Sequence, residues 1–157
     1  MARFRPLHAL LAVGLFIGAV LVAEWALEAR TRAASQRVKA GGDGLVKVDV
    51  ANLQPGKVRF YDYLNPGNQE VRFLVARDKT GALQVAFDAA ENDYKRHLGF
   101  RQEGEWLVNN KCDTAVRLEE VNAGTSGCRP TPLKHQVVGQ TVVLAESDVL
   151  AGWRYFH

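Results

Sequence analysis

From residue 45 onward, apolar and polar side chains alternate with a period of two, which is the pattern of half-buried β-strands. Short clusters rich in Gly, Pro, Asn and Asp separate the alternating stretches. The predicted strands are 46–50, 57–63, 70–77, 82–87 and 105–108. Four of them follow one another closely, so the pattern predicts an antiparallel sheet with a hairpin at 78–81. We therefore expect a mainly β (α+β) fold class, with one small antiparallel β-rich domain.

Several aromatic residues fall on two of these predicted strands. They are Phe60, Tyr61, Tyr63 and Phe73. They fit either a ligand platform or a packed core. Aromatic side chains on strands more often fill the core or form cross-strand pairs, so we expect them in the core.

The N-terminal segment has a continuous apolar pattern instead. Residues 7–23 contain no Asp, Glu, Lys or Arg, and this length is close to the roughly 17–25 residues that span a bilayer as a helix. A cleaved signal peptide has a shorter apolar core, of about 7–15 residues, and a small-x-small cleavage site, which residues 26–29 match poorly. We predict an uncleaved transmembrane helix, a signal-anchor over residues 1–28, with Trp25 at the membrane interface.

The remaining chain is predicted to be a linker and one domain. Residues 29–44 are rich in Ala and basic side chains and end in a glycine-rich run, which indicates a linker. The residues after the anchor, 29–157, are enough for one domain with its own core and too few for two ordinary ones, and we place that domain at 45–157.

Charge and motifs narrow the classes of function. The net charge is only +3, from 20 basic and 17 acidic residues that are interspersed, so we expect no nucleic-acid partner. No nucleophile elbow, phosphate-binding loop or zinc-protease motif occurs, so we expect no enzyme. Asp88, Glu91 and Asp93 are close in sequence and fit either a cation or acid-base site or a solvated surface, and we expect the surface.

Two cysteines, Cys112 and Cys128, are the only thiols in the chain. Iron-sulfur clusters and structural zinc sites need about three or four ligands of this kind. Three interpretations stay open. The cysteines form a disulfide, worth on the order of 3 kcal/mol in an oxidising compartment; they bind iron, copper or zinc together with Asp93 and with His97 or His135; or they are free thiols. We expect the disulfide and no cofactor.

Spaced motifs run through the segment around the cysteines. They read Phe87-Asp88-Ala89-Ala90-Glu91-Asn92-Asp93, Gly99-Phe100-Arg101-Gln102-Glu103-Gly104, Asn109-Asn110-Lys111-Cys112 and Gly127-Cys128-Arg129-Pro130-Thr131-Pro132-Leu133. Their order resembles the FtrD-like family of membrane iron-sulfur proteins, over essentially all of the chain from Leu45 onward. The family pattern has cysteines where Ala90, Asp93 and Asn109 stand, so the resemblance implies that three of five expected thiols are missing.

The resemblance implies a redox or metal-handling protein linked with iron uptake. It also implies a single-pass protein of the bacterial cytoplasmic membrane, with its domain on the periplasmic (extracytoplasmic) side. More basic residues follow the apolar segment than precede it, which points the other way, but large domains often translocate regardless of nearby charge. The expected partners are the lipid bilayer and a membrane protein, such as a metal permease or a larger membrane complex.

Two functions follow from the incomplete ligand set. In the first, which we favour, the protein is an accessory or scaffold subunit of a membrane complex and has lost the family's cluster. In the alternative, it is a metal-binding accessory protein of a membrane metal permease, with iron or copper held by Cys112, Cys128, Asp93 and His97.

Overall fold

The computed structural model describes residues 13–23, 34–91, 98–124 and 127–157. The chain divides into two units, Met1–Arg32 and Ala33–His157. In the first unit, residues 13–23 are helical and are called α1. No helix within the described ranges is both long and apolar enough to cross a membrane. The anchor predicted over residues 1–28 lies largely outside the described residues, and so does Trp25.

The described part of the second unit is built from ten β-strands. Their bounds are β1 Ser35–Val38, β2 Leu45–Asp49, β3 Lys57–Leu64, β4 Glu70–Arg77, β5 Leu83–Phe87, β6 Phe100–Glu103, β7 Trp106–Asn109, β8 Ala115–Arg117, β9 Gln136–Val138 and β10 Thr141–Ala145. Helix α2 covers Glu146–Ala151, and short 3₁₀ helices cover Leu118–Glu120 and Gly152–Tyr155. The mainly β fold class is confirmed. Strands β2 to β5 and β7 match the five predicted strands to within one residue at each end.

The strands form three sheets, in the orders β1-β3-β4-β5, β2-β10-β9 and β6-β7-β8. The hairpins β3–β4 and β4–β5 are antiparallel, as predicted. The prediction that β2 continues this sheet is wrong, because β2 pairs with the distant β10, with Val46 opposite Leu144 and Val48 opposite Val142. The alternation indicates that two valines of β2 are buried, but it carries no information on which strand pairs with β2.

Strand β1 lies within the stretch for which the sequence predicts a linker, 29–44. It runs parallel to β3, with Ser35 opposite Phe60. Val38 and Ala40 pack against the core, and Ala40 also forms a bridge to Val46. These two apolar side chains are too few to produce a periodic signal, which is why the strand is not visible in the sequence.

The central sheet has a hydrophobic cluster on each face. One cluster joins residues such as Tyr61, Tyr63 and Phe73 to the valines of β2 and β10. The other joins Phe60 and Leu74 to apolar residues of β6, β7 and β8. Strand β4 is therefore covered on both sides, and its interior is almost continuously buried. The four aromatic residues assigned to the core are all buried, at 4% exposure or less, which confirms that prediction.

Candidate functional site

Strand β7 ends in Asn109, a fully buried polar residue at 0% exposure. Its Oδ1 accepts hydrogen bonds from the backbone N–H groups of Lys111 (2.8 Å) and Cys112 (3.1 Å). Its Nδ2 donates to the carbonyl oxygen of Cys128, at 3.2 Å. One side-chain amide therefore holds the backbone at both cysteines. A buried amide needs such partners, because an unsatisfied one costs about 1–3 kcal/mol.

The turn after Asn109 is closed by backbone hydrogen bonds. The N–H of Asp113 donates to the carbonyl oxygen of Asn109 (3.0 Å), and the N–H of Asn109 donates to that of Thr114 (2.9 Å). Asp113 has φ 52°, in the left-handed region that Asp tolerates better than most residues. The N–H of Asn110 donates to the carbonyl oxygen of Gly99 (3.0 Å), so the turn is also fixed to the chain just before β6.

Arg101 of β6 lies across the outer side of this turn. Its guanidinium donates to Glu103 (2.7 Å), Asn110 (3.0 Å) and Asp113 (3.2 Å). The hydrogen bond to Glu103 raises the pKa of Arg101 above its ordinary value, and the bond to Asp113 adds to this. Hydrogen bonds and ion pairs of Arg101 thus hold the exposed side of the turn, and the Asn109 amide holds its buried side.

Cys112 and Cys128 are joined in a disulfide, with their Cα atoms 6.4 Å apart. This separation is within the ordinary range for the bond. Cys112 is exposed and Cys128 is half-buried. The pairing corresponds to the first of the three interpretations that the sequence leaves open, and it leaves neither sulfur available as a thiolate ligand.

The other predicted metal ligands are not assembled by the described residues. Asp93 and His97 lie outside these residues, so the mixed metal site stays a prediction. His135 is half-buried, and its Nδ1 donates to the carbonyl oxygen of Leu133 at 2.9 Å. Within the described ranges, no three or more His, Cys, Asp or Glu side chains form a group that could hold a metal ion.

Ala90, where the resemblance implies a cysteine, belongs to the apolar core. It is 0% exposed and lies in the cluster that contains Phe100, Leu107 and Val121. A methyl group at this position contributes to packing and offers no ligand atom.

The expectation that Asp88 and its neighbouring carboxylates form a solvated surface is wrong for Asp88. Glu91 is exposed, but Asp88 is only 4% exposed. The carboxylate of Asp88 accepts a hydrogen bond from the N–H of Phe100 (2.7 Å) and lies 3.4 Å from a guanidinium nitrogen of Arg72. Burial of a charged group is tolerated where it is paired and hydrogen-bonded, as it is here.

The contacts of Asp88 continue into a polar network across the central sheet. Arg72 of β4 donates to Asp62 of β3 at 2.9 Å, and Asp62 also accepts a hydrogen bond from the hydroxyl of Ser35 in β1. Gly99 completes the arrangement, because a Cβ there would lie 2.6 Å from the Asp88 carboxylate oxygens. The network fixes the start of β6, and therefore the turn at Asn109, relative to the central sheet. Sequence reasoning missed it, because its members are far apart along the chain.

The second unit is thus a small three-sheet β domain with a disulfide beside a buried asparagine. A family model described as membrane iron-sulfur containing protein FtrD-like matches residues 53–156. The chain belongs to the FtrD-like family, which confirms the resemblance seen in its motifs. Comparison with curated proteins and with solved structures returns no match.

The family name implies an iron-sulfur cluster, but the described residues do not fit one. Such clusters are held by cysteine thiolates, and both cysteines of this chain are paired with each other. At two positions where the resemblance implies cysteines, Ala90 is packed in the apolar core and Asn109 uses its amide to hold the backbone.

Proposed function

We propose that this protein is a membrane-anchored, extracytoplasmic accessory or scaffold subunit of a membrane complex, which works without its family's cluster and has no catalytic activity. The observation that supports it best is the arrangement of Asn109, Cys112 and Cys128. Hydrogen bonds and a covalent bond join these residues, where the family pattern has three metal ligands. Such an arrangement stabilises a fold and has no need of a cofactor.

The proposed anchor is a single transmembrane helix over residues 7–23 in the bacterial cytoplasmic membrane. This stretch is free of charged side chains, and residues 13–23 are helical. Gly14 and Gly18 are four residues apart, so they lie on one face of the helix, and a Cβ added at either would meet nothing from outside the helix backbone within 4 Å. Small residues at this spacing let two membrane helices pack closely, which supports a membrane partner such as a metal permease or a larger complex. A disulfide persists in an oxidising compartment, which supports a periplasmic domain.

Strand β9 supports a role in protein association. Within the described residues it pairs on one side only, with β10, and Val137 and Val138 are 48% and 63% exposed. An edge strand with exposed apolar side chains is a common place for a second chain to add a strand.

The second candidate is a metal-binding accessory protein of a metal permease. Membership of an iron-sulfur family favours it. In this candidate, Cys112 and Cys128 are reduced and bind iron or copper with Asp93 and His97. The two candidates differ in what a cysteine substitution removes: bound metal in one case and only stability in the other.

The experiment is affinity isolation of the full-length protein from its native membrane in mild detergent, followed by mass spectrometry and elemental analysis. An accessory subunit should copurify with one membrane protein at fixed stoichiometry, and Cys112→Ser should leave the metal content unchanged. A chain that isolates alone would contradict the accessory role. Metal that is present in the wild type and lost in Cys112→Ser would favour the metal-binding candidate.

A further inference from the structure

We propose that Cys112 and Cys128 form a reversible redox pair, which exchanges with the dithiol of a thiol oxidoreductase, and that Asn109 keeps the two cysteines together while the bond is open. This activity concerns the bond alone and does not depend on the accessory role. Failure of the redox proposal would therefore not refute the accessory role, and failure of the accessory role would not refute the redox proposal.

The two ends of the disulfide differ in access. Cys112 is exposed within a run of exposed residues, 111–115, whereas Cys128 is half-buried and is followed by the buried Pro130. Thiol–disulfide exchange requires a thiolate to reach one sulfur of the bond. The geometry therefore assigns Cys112 as the sulfur that is attacked and Cys128 as the leaving thiolate.

The backbone at both cysteines is held without the sulfur–sulfur bond. Asn109 contacts the N–H groups of Lys111 and Cys112 and the carbonyl oxygen of Cys128, and none of these hydrogen bonds involves a sulfur. Asn109 is also fully buried, so water does not compete for its amide. Reduction should therefore leave the Cα atoms of the two cysteines close to their 6.4 Å separation. The bond should then form again without a large conformational change of the loop.

The exchange balances as a two-electron reaction. A partner thiolate attacks Sγ of Cys112, the sulfur–sulfur bond breaks, and Cys128 leaves as a thiolate that takes up a proton. The second thiol of the partner loses its proton and attacks the mixed disulfide, which releases the thiolate of Cys112 to be protonated and leaves the partner as a disulfide.

The first test is reduction of the full-length protein in detergent by dithiothreitol without denaturant, followed by maleimide labelling and intact-mass measurement. We expect two labels per chain, an unchanged far-UV circular dichroism spectrum, and full loss of labelling after reoxidation. A bond that is reduced only in denaturant would overturn the proposal. Unfolding of the domain on reduction would overturn it as well.

Matched single-cysteine variants test the direction of attack. Cys128→Ser leaves Cys112 as a thiol, and Cys112→Ser leaves Cys128. We expect Cys112 to react with a disulfide reagent on the order of tenfold faster, because exposure controls the rate of exchange. Equal rates, or a faster reaction at Cys128, would show that the wrong sulfur has been assigned.

The role of Asn109 is tested by the rate of reoxidation. Asn109→Asp keeps an acceptor for the two N–H groups and removes the donor to Cys128, and it should slow reoxidation on the order of tenfold, because the cysteines are then held less closely. Asn52→Asp is the control, since it makes the same change at an exposed residue outside the segment 109–128. Equal reoxidation rates in the two variants would remove Asn109 from the mechanism.

Discussion

The central sheet and the turn at residues 109–114 lie in one domain but are held by different interactions. Strand β4 is covered by apolar clusters on both faces, and Val71, Phe73, Leu74, Val75 and Ala76 are all 0% exposed. In that turn, which carries Cys112, residues 111–114 are exposed, and the conformation depends on one buried amide, a few backbone hydrogen bonds and one covalent bond. Stability that comes from many small contacts leaves a periodic pattern in the sequence. Stability that comes from a few specific contacts leaves none.

The largest expected effect is in the central sheet. Leu74→Ala should lower the free energy of unfolding by about 2–5 kcal/mol, because it leaves a cavity between β4 and the sheet β6-β7-β8. Urea unfolding of the full-length protein, followed by circular dichroism, measures the change. Val138→Ala is the control, since Val138 is 63% exposed and its loss should cost less than about 0.5 kcal/mol. Similar losses for the two variants would contradict the two-sided core.

Removal of the disulfide should have an effect of similar size. The bond closes a loop with a sequence separation of 16, so the double variant Cys112→Ser, Cys128→Ser should lose about 3 kcal/mol of stability, mainly through the greater freedom of the unfolded chain. Urea unfolding of the oxidised wild type and of the double variant gives the difference in free energy of unfolding, from the midpoint and slope of each transition. A double variant as stable as the oxidised wild type would mean that the bond does not form in the native protein.

The contact between the two regions is tested by a pair of glycines. Gly99 and Gly104 have left-handed φ values of 61° and 59°, but only Gly99 has the Asp88 carboxylate in the space of a Cβ. Both alanine variants should cost about 1–2 kcal/mol for the backbone. Gly99→Ala should cost about 1–3 kcal/mol more for the displaced carboxylate. Thermal or urea unfolding compares them, and equal costs would argue against the buried position of Asp88.

The smallest effect concerns pH and belongs to the sheet region. Burial, and then the hydrogen bond to Glu146, raise the pKa of Tyr63 to about 12 from an ordinary value of 10.0. The folded state therefore resists loss of this proton, so the stabilisation is complete below pH 10 and is lost as the pH rises from 10 toward 12. Between pH 9 and 11, the free energy of unfolding of the wild type should fall by about 1 kcal/mol more than that of Tyr63→Phe. An identical dependence of stability on pH in the two proteins would show that the pKa of Tyr63 is not raised.

Much of the strand order was predictable, because β2 to β5 and β7 combine alternation with turn residues at their ends. Three features were not. Strand β1 has few apolar contacts, the pairing of β2 with β10 is long-range, and the burial of Asp88 depends on Arg72, which is 16 positions earlier in the chain. At the site, the sequence identified the two cysteines but not the role of Asn109. A buried amide that bonds to backbone has no signature of its own in a sequence.

The central claim is that the cysteine pair of this FtrD-like protein is a disulfide and not a metal site. The most direct measurement is elemental analysis with thiol labelling under denaturing conditions, on a single preparation purified anaerobically from the native membrane. We predict no labelled thiol before reduction, two after it, and no stoichiometric iron, copper or zinc. Stoichiometric metal, together with two thiols that label without reduction, would contradict the claim and make Cys112 and Cys128 ligands.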